Sequence, residues 1–313
     1  MSDFSQLRIY CNGELVPLSE ARVSIFDHAL LLGDMVFEMT RSYNHQPFML
    51  DNHLDRLHAS LKLLEIDCGL TPSQMKQATL DTIEANLPLF EEGLDYWIRH
   101  DVSRGPVGLW HHLLPKPLRP TVIISVLPAI GHLTSIADDY ENGVHVVIPS
   151  QRAIPSRYLD PKAKTRSRQH YEMANLQAAR IEKGSWPVLL DEHGYLAEGT
   201  SYNVFLVKDG TLYTPEEHNI LRGISRAYVI EMAAKLGLPV HETNLEPYDF
   251  LMADEAFLTA SSYGVLPVVQ FEGRPVGDGK VGPVYQRLLR KWSEQVGVDI
   301  VDQAKQIRTK YGE

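Results

Sequence analysis

The run "EGTSYNVFLVKDGTLYTPEEHNILRGISR", Glu198 to Arg226, decides the reading of the chain. Glu198 stands just before Gly199 and Thr200, at the mouth of an apolar strand, "NVFLV". It has no neighbouring Cys or His to make a metal site and no Lys or Arg at helical spacing to make a surface pair. A Lys-Asp-Gly turn and a second strand, "TLYT", follow. The run closes on Leu221-x-Gly223-Ile224-Ser225, directly ahead of an amphipathic helix. Gly223 lets the backbone come close to a ligand. Ile224 and Ser225 present backbone N–H groups at a helix N-terminus, and Ser225 adds a hydroxyl. That is an anion site suited to a phosphate. Read alone, Ser225 is a helix cap and Glu198 a turn residue; together they ask for a shared ligand.

Two further segments narrow that ligand. "TASSYG", Thr259 to Gly264, ends an apolar strand with small hydroxylated residues that can bind the same phosphate. "LDPKAKTRSRQHY", Leu159 to Tyr171, sets Lys162, Lys164, Arg166 and Arg168 ahead of a helix. A phosphate, a ring nitrogen wanting a carboxylate and a carbonyl wanting a lysine are the three handles of pyridoxal 5′-phosphate.

Composition sets the frame. The 313 residues suit two domains, and 44% apolar with 22% charged residues is ordinary for a soluble globular protein. A net charge of −10 argues against nucleic acid or an anionic membrane as partner. Two cysteines, Cys11 and Cys68, suit a reducing compartment. "MSDFSQLRIY" has no apolar core for a signal peptide, and no run approaches the roughly 20 apolar residues that span a bilayer. A cytoplasmic protein is expected. No repeat is found, and no metal site: His111 and His112 are adjacent and so point differently.

Strands are expected around the Asn12-Gly13 turn, in "MVFEMTRSY", "DYWIRHDVSRG" and "TVIISVLPAI". Helices are expected in "DNHLDRLHASLKLLEI", with Leu54, Leu57, Leu61 and Leu64 at helical spacing and Asp51 as cap, and in "TPSQMKQATLDTIEANL", with Thr71 as N-cap and Pro72 at its first position. The polar stretch 131–140 reads as an interdomain linker, between a small N-terminal α/β domain, 1–130, and a larger domain, 141–313. That second half alternates strands, tight turns and helices, the last helix starting near Gly282. The expected class is α+β with largely antiparallel sheets.

The opening run resembles the class IV aminotransferase pattern at each defined position: Glu198, Thr200, Asn203, Val204, Phe205, Leu212, Thr214, Leu221, Gly223, Ile224 and Arg226. "DHALLLGDMVFEMTRSY" and "HLDRLHASL" look like the N-terminal domain of branched-chain and D-amino-acid aminotransferases, and "DGKVGPVYQRLLRKW" like their C-terminal helix. The resemblance covers residues 8 to 295 or so. It implies a fold type IV pyridoxal-phosphate enzyme, whose larger domain has barrel-like antiparallel sheets. It also implies a homodimer with active sites near the interface.

By the same resemblance Lys164 is the Schiff-base lysine, in preference to Lys162, and Glu198 faces the ring nitrogen. Leu221 lies against the ring face. Arg56, Ile224, Ser225 and Ser261 carry the phosphate, and Gly223 and Ser262 also belong to the cofactor-binding set. The family's aromatic four or five residues beyond the lysine is replaced here by Arg168 and Gln169, so Arg168 or Arg166 is expected at the cofactor's phenolic oxygen. Phe37, Trp97, Arg99, His111 and Tyr263 are expected to bind substrate. Arg99 can grip a carboxylate bidentately or pair with Asp101. The implied reaction is a ping-pong amino transfer between an amino acid, L-branched-chain or D-, and a 2-oxo acid. Branched-chain enzymes have Tyr where Trp97 stands and often where Leu32 stands. D-amino-acid enzymes have Arg where Leu109 stands. An aminodeoxychorismate-type lyase and an (R)-amine transaminase on the same fold remain open, as does an inactive relative.

Overall fold

"MVFEMTRSY" is a strand buried along almost its whole length, as expected of a strand covered on both faces. It anchors the first of two compact units in this computed structural model, which describes residues 3–114 and 117–312, the side chains of 110 and 111 excepted. The first unit comprises Met1–Ala129 with Ala163–Ser167, the second Ile130–Lys162 with Arg168–Glu313.

The first unit runs β1 (Arg8–Cys11), β2 (Glu14–Pro17), α1 (His28–Leu32), β3 (Met35–Tyr43), β4 (Gln46–Pro47), α2 (Leu50–Leu63), α3 (Pro72–Asn86), β5 (Tyr96–Ser103) and β6 (Thr121–Pro128). Its sheet has the order β2-β1-β6-β5-β3-β4, antiparallel throughout. On β5 the side chains of Tyr96, Ile98, His100 and Val102 are fully buried, while Trp97 and Arg99 are half-buried. That period of two fixes which face each residue serves. Leu54, Leu57 and Leu61 of α2 are buried as their spacing requires.

Thr71 caps α3 in a capping box with Gln74, and Pro72 opens the helix. Asp51 does not cap α2. The helix starts one residue earlier, behind Met49 in the left-handed region (φ 54°), and Asp51 pairs with Lys76 at 2.7 Å. The short helix α1 had no periodic signal in the sequence. It forms because buried Asp27 accepts from Ala29 N–H at 2.8 Å, and from Ser103 and Thr121 hydroxyls at 2.6 Å, while Gly33 ends the helix at φ 68°.

The second unit runs α4 (Ile130–Ile136), α5 (Asp139–Asn142), β7 (Val144–Val147), α6 (Gln169–Ile181), β8 (Trp186–Leu190), β9 (Leu196–Gly199), β10 (Asn203–Lys208), β11 (Thr211–Thr214), α7 (Ile224–Lys235), β12 (Val240–Glu242), α8 (Pro247–Met252), β13 (Glu255–Ala260), β14 (Gly264–Phe271), β15 (Arg274–Pro275), α9 (Pro283–Val296) and α10 (Ile300–Tyr311). Its sheet follows β12-β11-β10-β13-β14-β7-β8-β9, with β15 on β14. The sheet is mixed: β11–β12, β14–β7 and β7–β8 are parallel. Helices α7 and α6 supply the crossovers for the first and last of these pairs, as parallel neighbours require. The sheet curls, because β9 at one end of the path returns to β10 through Gly199 N–H on the Tyr202 carbonyl.

The stretch 131–140, expected as a linker, is largely helical. Leu133, Ile136 and Tyr140 are buried, and α10 is tied to it by Lys305–Glu141 and Arg308–Asp138 ion pairs. Its surface is polar and its inner stripe apolar, a pattern too short for periodicity to reveal.

Phe205 and Phe257 face each other across β10 and β13, rings 5.1 Å apart and both fully buried. Phe257→Ala is expected to cost about 3–5 kcal/mol, measured as a lower denaturant midpoint for the second unit.

Candidate active site

The expected site residues fall into two groups, one in each unit. In the first unit, Ala163–Ser167 lies along the start of β3. Val36 pairs with Thr165, Phe37 N–H donates to the Lys164 carbonyl at 2.9 Å, and Arg166 N–H donates to the Met35 carbonyl at 2.8 Å. Lys164 N–H donates to Ser60 Oγ at 3.2 Å. The half-buried Lys164 is thus held by backbone bonds on both sides, with its Nζ 4.8 Å above the Phe37 ring. Lys162 is engaged elsewhere, by Asp160 at 2.8 Å.

The register of β3 on β5 puts Phe37 opposite Asp101, Met39 opposite Arg99 and Arg41 opposite Trp97, on one face. Asp101, 6% exposed, takes both Nε and Nη2 of Arg166 at 2.9 and 2.8 Å and an ion contact from Arg99 Nε at 2.6 Å. The Arg166 guanidinium lies 3.7 Å above the Phe37 ring, a cation–π contact. Two arginines around one carboxylate leave that face with surplus positive charge beside an aromatic floor.

Residues of opposite parity on the same strands hold a second cluster. Glu38, opposite His100, is fully buried. Its carboxylate takes Arg56 Nε and Nη2 at 2.6 and 2.8 Å, and His53 Nδ1 at 2.8 Å. Burial alone would raise the Glu38 carboxyl, but the Arg56 charge and the bonds from Arg56 and His53 outweigh it and hold it well below the usual carboxylate range. Burial lowers His53 and brings His100 down to about 4. Arg56, expected at a phosphate, is therefore anchored by a carboxylate that the sequence reading missed. The clue was a lone acid inside an apolar strand.

In the second unit Glu198 ends β9 with 6% exposure. Tyr171 Oη donates to its Oε1 at 2.8 Å; Asn203 Nδ2 and Leu221 N–H donate to Oε2 at 3.3 and 3.1 Å. Asn203 Nδ2 also reaches the Leu221 carbonyl at 3.1 Å. A Cβ at Gly223 would meet Asn203 Oδ1 at 2.0 Å, which is why glycine is needed there. Gly223 is also the N-cap of α7, with no side-chain cap, so the helix opens on backbone N–H groups at buried Ile224 and Ser225. Thr259 pairs with Asn203 across β13 and β10, so both project from the same sheet face. Thr259 is 1% exposed, and its buried hydroxyl has no hydrogen-bond partner among the described residues. Ser261 and Ser262 follow in the turn before β14.

Arg168 donates to the Thr200 carbonyl and lies 4.6 Å above the Tyr171 ring. Tyr263 is 1% exposed, 6.0 Å from both the His132 and Trp186 rings. Arg226 is buried on Pro215, Glu242, Glu217 and Thr214, binding α7 to the neighbouring strands. The expected substrate residue His111 falls in the 3-10 helix Gly108–Leu113, its side chain outside the described residues. No group of three or more His, Cys, Asp or Glu suited to a metal occurs among the described residues.

A buried carboxylate gathered by neutral donors suits a cationic ring N–H. An uncapped helix N-terminus and an orphaned buried hydroxyl suit an anion. A half-buried lysine over an aromatic ring suits a carbonyl. Taken one by one, these groups match the ring nitrogen, the phosphate and the aldehyde of a pyridine phosphate aldehyde.

The amino-transferase class IV family model matches residues 35–271. A Methanocaldococcus jannaschii protein provisionally named a branched-chain-amino-acid aminotransferase is 35% identical over 311 residues, covering 98% of each chain. The Escherichia coli K12 branched-chain-amino-acid aminotransferase is 30% identical over 285 residues, covering 90% of each. The structure of a T.th. branched-chain amino acid aminotransferase complexed with N-(5′-phosphopyridoxyl)-L-glutamate superposes with a TM-score of 0.82 at 29% identity, covering 94% of this chain and 95% of that one.

Acid is expected to destabilise the first unit. In the unfolded chain histidine protonates near 6.5, but buried His100 only near 4, so the unfolded state gains protons first as pH falls. Stability present above 6.5 should decline through that window, by on the order of 3 kcal/mol for His100. Below 4.5 the depressed Glu38 carboxyl adds to the loss. Denaturant titrations at stepped pH measure this. Glu38→Gln leaves Arg56 without its buried counter-charge and is expected to cost about 3–5 kcal/mol.

Proposed function

The chain belongs to the class IV aminotransferases, and from that membership we propose that it moves amino groups between an L-branched-chain amino acid and a 2-oxo acid. Its cofactor is pyridoxal 5′-phosphate, and the fold is the mixed α/β fold type IV. The observation that carries the proposal is the buried Glu198 carboxylate with its three neutral donors, two of them, Asn203 and Leu221, within the family pattern.

When bound, the cofactor supplies an electron-withdrawing pyridinium that lets a carbanion form at the substrate Cα. The remaining work belongs to side chains of this protein. Lys164 Nζ is the amine that holds the cofactor aldehyde and moves the proton at the substrate Cα. Glu198 would keep a proton on the ring nitrogen, and Leu221 would bound the ring face. Backbone N–H groups of Ile224 and Ser225, with Arg56, Thr259, Ser261 and Ser262, bind the phosphate. Gly223 keeps the approach open. Arg99 takes the substrate carboxylate, its guanidinium steadied by Asp101, and Phe37 and Trp97 contact the aliphatic side chain and exclude water. Leu109 is 71% exposed and brings no cation for a D-amino-acid trap, which favours the L-series.

A homodimer is part of the proposal. Ile25, Leu30 and Leu32 are 66–68% exposed and Leu31 44%, on and beside a five-residue helix. Apolar side chains clustered so closely favour burial against a second copy. With Cys11 and Cys68 as thiols, we place the enzyme in the reducing cytoplasm; no helix among the described residues is long and apolar enough to cross a membrane.

Borohydride treatment of the holoenzyme followed by peptide mapping should mark Lys164; a mark on Lys162 overturns the assignment. Initial rates with L-leucine, L-isoleucine or L-valine and 2-oxoglutarate should give the parallel double-reciprocal lines of ping-pong exchange. Turnover without any 2-oxo acid would point to the lyase instead. Light scattering should return twice the chain mass, and Leu30→Asp with Leu32→Asp should halve it.

A further inference from the structure

Tyr171 has no assigned part in the amino transfer, and the family's aromatic residue stands elsewhere in sequence. Its geometry nonetheless ties it to the reacting centre. It is the third residue of α6. Its ring packs against the buried cluster of Ala153, Ala174, Leu189, Ala197 and Ile220. Arg168 covers the ring at 4.6 Å and is itself fixed on the Thr200 carbonyl. The ring is therefore clamped between an apolar cluster and a guanidinium, and it aims its hydroxyl at Glu198 Oε1 from 2.8 Å.

We propose that Tyr171 is a positioning residue for Glu198, fixing the plane of that carboxylate so that it serves the cofactor's ring nitrogen. This rests on the reading above, in which Glu198 faces that nitrogen. Glu198 is 6% exposed, so water contributes little to stabilising its charge. Protein donors must do so. Asn203 and Leu221 act on Oε2 at 3.3 and 3.1 Å; the bond from Tyr171, shorter than either at 2.8 Å, acts on Oε1. The carboxylate is thus gripped at both oxygens and its plane is set. Burial, the Glu198 charge and the hydrogen bond keep the Tyr171 phenol protonated well above pH 10, so the donor persists at every working pH.

Losing that donor has a defined consequence. Without it Oε1 loses its bond and the plane of the carboxylate is no longer set. A carboxylate turned off the ring nitrogen no longer favours a protonated ring, and the ring withdraws fewer electrons from the substrate Cα. Tyr171 touches neither substrate nor cofactor in this scheme; it acts through Glu198.

The test uses holoenzyme reconstituted with pyridoxal phosphate labelled with 15N in the ring. In the wild-type protein the 15N resonance should report a protonated ring nitrogen at neutral pH. In Tyr171→Phe, which keeps the packed ring, the resonance should move toward the unprotonated position, and the pH at which the nitrogen loses its proton should fall. The kcat should drop about tenfold or more, the usual effect of removing a hydrogen bond to a charged group, with KM for the amino acid within about twofold. In a Glu198→Gln background the same change should alter kcat less than about twofold, because the group it acts through is gone. Arg168→Met, which leaves the hydroxyl in place, should move the resonance the same way by a smaller amount. A Tyr171→Phe holoenzyme with the wild-type resonance across pH overturns the proposal, as does an equal kcat loss with and without Glu198. A wild-type chain that binds no labelled cofactor overturns the functional reading itself, which separates the two failures.

Discussion

A carboxylate buried at the end of a strand is tolerated only if the surrounding chain supplies donors, and in the second unit that requirement organises everything near Glu198. Asn203 must sit across the tight turn from β9 to β10, the Leu221 amide must pass close by, and α6 must place Tyr171 alongside. Asn203 is then the pivot: its amide nitrogen bonds Glu198 and the Leu221 carbonyl, and its oxygen leaves no room for a Cβ at position 223. The same crowding that demands glycine there leaves α7 without a side-chain cap, which is the condition for a helix N-terminus to receive an anion. One electrostatic constraint thus generates the buried, hydrogen-bonded carboxylate and the open helix N-terminus together.

The first unit solves a different problem by alternation. Successive residues of β3 and β5 project to opposite faces, so Phe37 with Asp101 and Glu38 with His100 belong to separate environments although they are sequence neighbours. The Glu38 carboxylate is fully buried and charge-balanced by Arg56. The Asp101 cluster carries two guanidiniums on one carboxylate and stays partly open. A single-residue slip of register would exchange them, putting unbalanced positive charge in the core. The many hydrogen bonds of a nine-residue strand against an eight-residue one hold that register.

Element types in the regular parts were legible in the sequence for identifiable reasons. Thr71-Pro72 with Gln74 announces α3, Leu54, Leu57 and Leu61 mark the inner stripe of α2, and the Asn-Gly and Lys-Asp-Gly turns separate strands that pair as expected. The misses were short or tertiary. Helix α1 exists because Asp27 is bonded by residues far along the chain, and residues 131–140 looked like a linker because so short a segment hides its apolar stripe. Helix α10 followed a chain end read as a single helix, the Gly297 left-handed cap dividing it from α9. The parallel pairs came from crossovers whose partners local pattern cannot name.

The sequence by itself determined the chemistry on offer: Glu198, Lys164 and the Gly223-Ile224-Ser225 turn are set by residue type and spacing, because a carboxylate, an amine and a cradle of N–H groups have fixed chemical appetites wherever they lie. Tertiary structure alone decided the partners. That Tyr171 bonds Glu198, that Arg56 is anchored by Glu38, and that Arg166 and Arg99 share Asp101 follow from strand register and helix placement, which bring together side chains whose separation along the chain carries no local signal.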